Sequence, residues 1–142
     1  MLFLEPVHSW HGGSRYWTRK LGDLIRADAE RRGEPYLRAL ARFASAVATI
    51  ELVPYHSPKF ELPGRVVRNL RSAELARGYV RNVLLPRAKA GDCLVVVTRQ
   101  AKAWGLVPGR NVVVYGPSEA RAAHLSTRSP GGRAILAFLR DR

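Results

Sequence analysis

Ala48-Thr49-Ile50-Glu51-Leu52-Val53-Pro54-Tyr55-His56-Ser57 is the stretch on which the fold assignment turns. Thr49, Ile50, Leu52 and Val53 favour a short buried strand, with Glu51 an awkward charge inside it. Pro54 then ends the run, and a phenol, an imidazole and a hydroxyl follow directly. In an open parallel sheet, ligands bind beyond the carboxyl ends of the strands. A strand here therefore presents Tyr55, His56 and Ser57 at such an edge.

Helical patterns precede this stretch. Ser14 is a good N-cap residue, and Trp17, Leu21, Leu24, Ile25 and Ala29 recur at helical spacing, which predicts a helix from about Arg15 to Arg31. Gly33 stops it, and Pro35 opens a second helix that carries Leu37, Leu40, Ala41, Phe43 and Ala44 to about Val47. At the N-terminus, Leu2-Phe3-Leu4 reads as a first strand and Pro6 to Ser14 as a loop.

The segment from Ser57 to Arg68, punctuated by Pro58, Pro63 and Gly64, reads as a loop. Ser72 caps a third expected helix, with Leu75, Tyr79 and Val83 on its apolar side and Pro86 as its limit. Asp92-Cys93-Leu94-Val95-Val96-Val97-Thr98 is the clearest strand pattern. Its continuous apolar run suits a strand covered on both faces. A short helix with Trp104 follows, then a turn at Pro108-Gly109 and a strand over Asn111 to Tyr115. A short helix around Glu119 to Ala123 and a C-terminal helix with Ile135, Leu136, Phe138 and Leu139 complete the reading.

Strands alternating with helices imply an α/β fold. The expectation is a three-layer sandwich around a four-stranded, mostly parallel sheet flanked by helices, as one domain over residues 1–142.

Composition sets the class of partner. The chain has 24 Lys and Arg against 11 Asp and Glu, a net charge of +13. Such an excess favours polyanions, nucleic acid first and an anionic membrane surface second. No apolar run approaches the length that spans a bilayer, so no membrane partner is expected. A lone Cys93 cannot form an internal disulfide, and a cytoplasmic location is the simplest expectation. One Cys and four His make a zinc cluster a poor fit. His8 and His11 are spaced HxxH, but in a loop, and no metal or other cofactor is expected. The sequence contains neither a glycine-rich phosphate loop nor a dinucleotide fingerprint.

The expected sheet gathers the candidate site residues at its strand ends. The first strand delivers Glu5, the second Tyr55, His56 and Ser57, the third Arg99, and the fourth the segment holding His124, Ser126 and Arg128. Arg holds phosphates and aromatic rings stack bases.

The order of elements resembles the uracil-DNA glycosylase superfamily, and most closely its uncharacterised bacterial and phage branch. Three pieces carry the resemblance: Tyr16-Trp17-Thr18-Arg19-Lys20-Leu21, Glu51-Leu52-Val53-Pro54-Tyr55-His56-Ser57, and Val95-Val96-Val97-Thr98-Arg99 followed by Trp104. By that resemblance, the region of Tyr55, His56 and Ser57 reads a nucleobase. His124-Leu125-Ser126 resembles the family's His-Pro-Ser segment, with Leu125 in place of Pro, so His124 would donate a hydrogen bond to the departing base. The family's first-strand loop carries an Asp or Asn followed by Pro. This chain has Glu5-Pro6, and Glu5 stands either as a longer carboxylate positioning water or as a coincidence. DNA is the expected partner ahead of RNA. Binding in a cleft that faces a nucleobase is the leading reading. A DNA glycosylase hydrolysing an N-glycosidic bond, and a protein-interaction factor with a basic aromatic surface, are the alternatives.

Overall fold

Helices, not a sheet, carry the computed structural model, which describes residues 1–54 and 62–140. Among the described residues eight α-helices run in chain order: α1 (Gly12–Arg32), α2 (Tyr36–Ala46), α3 (Gly64–Asn69), α4 (Arg71–Tyr79), α5 (Leu85–Ala90), α6 (Ala101–Trp104), α7 (Pro117–Ala122) and α8 (Pro130–Arg140). Two short strands, β1 (Val95–Val97) and β2 (Val112–Val114), form a parallel pair with Val95 opposite Val112 and Val97 opposite Val114. The chain divides into two compact units. The first comprises Met1–Thr49 with His124–Arg142, and the second Ile50–Ala123.

The first unit is a helical cluster of α1, α2 and α8. The stripe expected on α1 is the one it buries: Leu21, Leu24, Ile25 and Ala29 meet Leu40, Phe43 and Ala44 of α2 and Leu139 of α8. The cap of α1 lies further upstream than expected. His11 Nδ1, rather than Ser14, accepts a hydrogen bond from Gly13 N at 3.0 Å, while the imidazole stacks on Phe3. At the other end Gly33 adopts φ 63°, its N–H reaches the Glu30 carbonyl, and Glu34 N reaches the Ala29 carbonyl. This left-handed stop suits glycine because it has no Cβ to clash.

The α8 start is built on one hydroxyl. Ser129 Oγ accepts from Ser126 N and Gly132 N and donates to the Ser126 carbonyl. The turn is so tight that a Cβ on Gly132 would stand 1.8 Å from the Ser126 carbonyl oxygen.

The second unit has its own small core of Leu52, Val67 and Ala73, with Val53, Leu70, Ala103 and Trp104 packed on it. Helices α4 and α5 are joined through a π turn, Val80–Leu84, in which Leu85 N reaches the Val80 carbonyl. Pro86 therefore does not stop the helical run. It sits in the first turn of α5, directly after the π turn, where the winding is looser than in an α-helix. The strands and the helix between them fall where the sequence predicts, though shorter. Asn111 turns with φ 52° and ties its side-chain amide to the Ala88 carbonyl at the end of α5. Cys93 is half-buried, with its thiol 3.5 Å from the Leu84 carbonyl.

The four-stranded sandwich is thus overturned, because two of its strands do not form. Leu2–Leu4 is a 3-10 turn whose Leu4 is inserted against α1 and α2. Around Ile50–Val53 the backbone is irregular: Leu52 is buried, while Ile50 and Glu51 are exposed. A strand covered on both faces needs alternate side chains buried on each side. Here buried Leu52 and partly buried Val53 anchor the segment to a helical core, and a strand propensity with no ladder partner carries little weight. The segment expected as a loop up to Arg68 also contains α3, which begins after Pro63.

Candidate nucleic-acid interface

With the four-stranded sheet gone, no common sheet edge gathers the expected site residues. Tyr55, His56 and Ser57 lie outside the described residues. Glu5 is exposed in the first unit and precedes the 3-10 turn Pro6–His8, where its carbonyl accepts from His8 N. His124, Ser126 and Arg128 also belong to the first unit, in the loop before α8. Leu125, which stands where the resemblance expects Pro, packs on the first unit's core. The Ser126 backbone is consumed by the α8 cap, and the Arg128 carbonyl accepts from the Arg133 guanidinium. Arg99 belongs to the second unit, exposed just beyond β1.

Both units leave cations exposed without an ion pair among the described residues, in the first unit Arg15, Arg19, Arg26, Arg38, Arg128 and Arg133, but only the first matches part of its charge internally. In the first, Asp28 is fully buried on the apolar face of α1. Arg31 meets it at 2.5 Å, Arg32 at 3.2 Å and Arg42 at 2.6 Å, and Arg42 also pairs with Glu34. Arg32 extends the network to α8 by donating to the Leu139 carbonyl at 2.9 Å. Burial pushes the Asp28 carboxyl up, but hydrogen bonds from Arg42, Arg31 and Arg32 outweigh it and hold the group below the usual carboxylate range. Asp23 is held low as well, chiefly by hydrogen bonds from Thr127 N and Oγ1, with Arg26 and Arg128 adding to the effect.

Sequence reading missed Asp28. Its signal was an acid four residues after Leu24 and three after Ile25, on the stripe that faces the core. A charge there requires a partner, and Arg31 and Arg32 one turn later are placed to supply it.

Among the described residues of the second unit no Lys or Arg takes part in an ion pair. Its described residues include eleven Lys and Arg against Glu51, Glu74, Asp92 and Glu119. All eleven except half-buried Arg77 are exposed. Among the described residues every ion pair belongs to the Asp28 and Glu34 network of the first unit. One of the second unit's guanidinium groups is positioned by backbone, Arg77 donating to the Arg68 carbonyl at 3.0 Å, while that of Arg81 lies beside Gly105 at the end of α6. The rest project from α3, α4, α5, α6, α7 and the turns beside β1 and β2.

Such a surface suits an extended polyanion rather than a small substrate. Among the described residues no group of His, Cys, Asp and Glu is placed to hold a metal ion, and no helix is long and apolar enough to cross a membrane. In comparisons with protein families, curated proteins and solved structures, nothing matches this chain.

Proposed function

We propose that this chain binds nucleic acid through the basic surface of its second unit. The observation that carries this reading is the number of exposed Lys and Arg on that unit with no ion pair among the described residues, ten against six on the first unit. A cation already matched by a carboxylate inside its own fold has little left for a phosphate. An unmatched exposed one gains a partner and releases the counterions condensed on the polyanion. The phosphate backbone common to DNA and RNA is the ligand on this argument, and binding without turnover is the activity. The cytoplasmic placement expected from the lone Cys93 belongs to the same proposal.

Fluorescence anisotropy with labelled single- and double-stranded oligonucleotides tests it. Binding in the micromolar range that weakens steeply between about 50 and 200 mM salt is expected of several phosphate contacts. Absence of binding to every oligonucleotide at low salt removes the proposal.

A further inference from the structure

The apolar stripe of α4 was expected to face a core, and it does not. The helix buries Ala73, and the π turn buries Val80, leaving Leu75 64% and Tyr79 48% exposed. Small Ala73 lets the helix approach Leu52 and Val67 closely, which turns the larger side chains outward. Arg71, Glu74, Leu75, Gly78, Tyr79 and Asn82 fall at i, i+3, i+4, i+7, i+8 and i+11, so they share a face, and they line an open groove of about 380 Å³. Gly78 leaves the groove clear beside the Tyr79 ring, with nothing within 4 Å of where a Cβ would stand.

We infer that this groove takes an unpaired nucleobase, stacked on Tyr79, so that the protein prefers single-stranded to duplex nucleic acid. The inference rests on the nucleic-acid reading above and assigns a site to it. A phenol ring exposed on a basic helix offers a base a flat apolar partner, and stacking tolerates any base because every base has a π-face. Asn82 supplies an amide that both donates and accepts, and Glu74 an acceptor for an exocyclic amine, both suited to a base edge. Arg71 at the end of the groove provides the charge for the adjoining phosphate. In a duplex the bases are stacked on one another and cannot enter the groove without being flipped out.

Anisotropy titrations with a labelled oligothymidylate and a duplex of the same length, on the full chain, decide the matter. Tyr79→Ala is expected to weaken single-strand binding roughly 5- to 100-fold, the effect of losing one stacked base. Tyr79→Phe is expected to keep it. Gly78→Leu, which fills the groove without removing a contact, is expected to weaken single-strand binding as Tyr79→Ala does and to leave the duplex unchanged. Wild-type binding that all three variants preserve, or that Tyr79→Ala weakens equally for both forms, overturns the groove assignment while leaving the nucleic-acid reading in place. If the wild type binds neither form at low salt, both fall together. A dimer, measured by sedimentation, that Gly78→Leu dissociates assigns the groove to a second copy of the chain and overturns the inference.

Discussion

Replacing Asp28 by Asn removes one negative charge from the centre of the first unit and changes little else in size. The carboxylate receives hydrogen bonds from three arginines, with Arg42 reaching Oδ2 through both Nε and Nη2. An amide retains one acceptor oxygen and turns an NH2 donor toward guanidinium donors, so at least one arginine loses its bond outright. Breaking a fully buried ion pair costs about 3–5 kcal/mol. Here the arginine side chains keep 37%, 30% and 27% of their exposure and recover part of their hydration. That lowers the expected cost to about 2–4 kcal/mol, still a large share of the ~5–15 kcal/mol that stabilises a domain.

Urea denaturation followed by far-UV circular dichroism is the assay, because urea, unlike guanidinium, does not screen the ion pairs. Glu30→Gln, on the exposed side of α1, is the control and is expected within about 0.5 kcal/mol of wild type. The pH dependence supplies a second reading of the same group. A carboxyl held below its ordinary value stabilises the fold above the unfolded value of about 3.9, and that stability disappears as pH falls through the lower folded value. The gap between wild type and Asp28→Asn is therefore expected to be full at pH 7 and to close as the pH falls well below 4. An Asp28→Asn protein as stable as Glu30→Gln at pH 7 would refute the claim that this network holds α1 to α2 and α8.

Other outcomes follow from the same geometry. Gly132→Ala places a Cβ 1.8 Å from the Ser126 carbonyl oxygen, so the α8 turn must open, and the urea midpoint is expected to drop by the equivalent of about 1–3 kcal/mol. Phe43→Ala, at a fully buried position between the helices of the first unit, is expected to cost about 3–5 kcal/mol in the same assay. Arg128 lies near enough to Asp23 to favour its carboxylate, so part of its charge is already matched. Arg128→Gln is expected to change oligonucleotide affinity less than Arg99→Gln does, and anisotropy titration of the two variants compares them directly.

Helices proved the more legible part of this chain. The α1 and α2 stripes announce themselves through Leu21, Leu24, Ile25, Leu40, Phe43 and Ala44, because a 3.6-residue period survives whatever surrounds it. The valine runs at Val95–Val97 and Val112–Val114 were also readable, and they found each other as a parallel pair. Short apolar runs without a partner were not. Leu2–Leu4 and Ile50–Val53 carry strand propensity, yet each ends by contributing one buried Leu to a helical core. Neither run contains the information that decides between these outcomes. It lies in whether a neighbouring strand exists. The orientation of α4 was hidden for a related reason: a helix with large residues on one face and Ala73 on the other buries whichever face its neighbours fit.

For the candidate interface, the overall charge was legible but its distribution was not. Formal charge is a count along the chain, whereas the charge available to a partner depends on which arginines the fold has already matched. Arg31, Arg32 and Arg42 contribute to +13 as fully as Arg65 or Arg87 do, but Asp28 engages the first three. The four-stranded sheet edge that was to align Arg99 and His124 with the other candidates does not form, though Arg99 still follows the end of β1. Arg99 is exposed on the unit whose described cations make no ion pair.

The salt dependence of oligonucleotide binding tests the central claim most directly. For wild type and a variant with Arg65, Arg87 and Arg99 all replaced by Gln, the logarithm of the association constant is plotted against the logarithm of salt concentration. Removing three phosphate contacts is expected to make the slope shallower by about 2 for a single strand and by about 3 for a duplex. A slope unchanged by the triple replacement, while the same replacements at Arg15, Arg19 and Arg38 flatten it, would place the polyanion on the first unit and contradict the account.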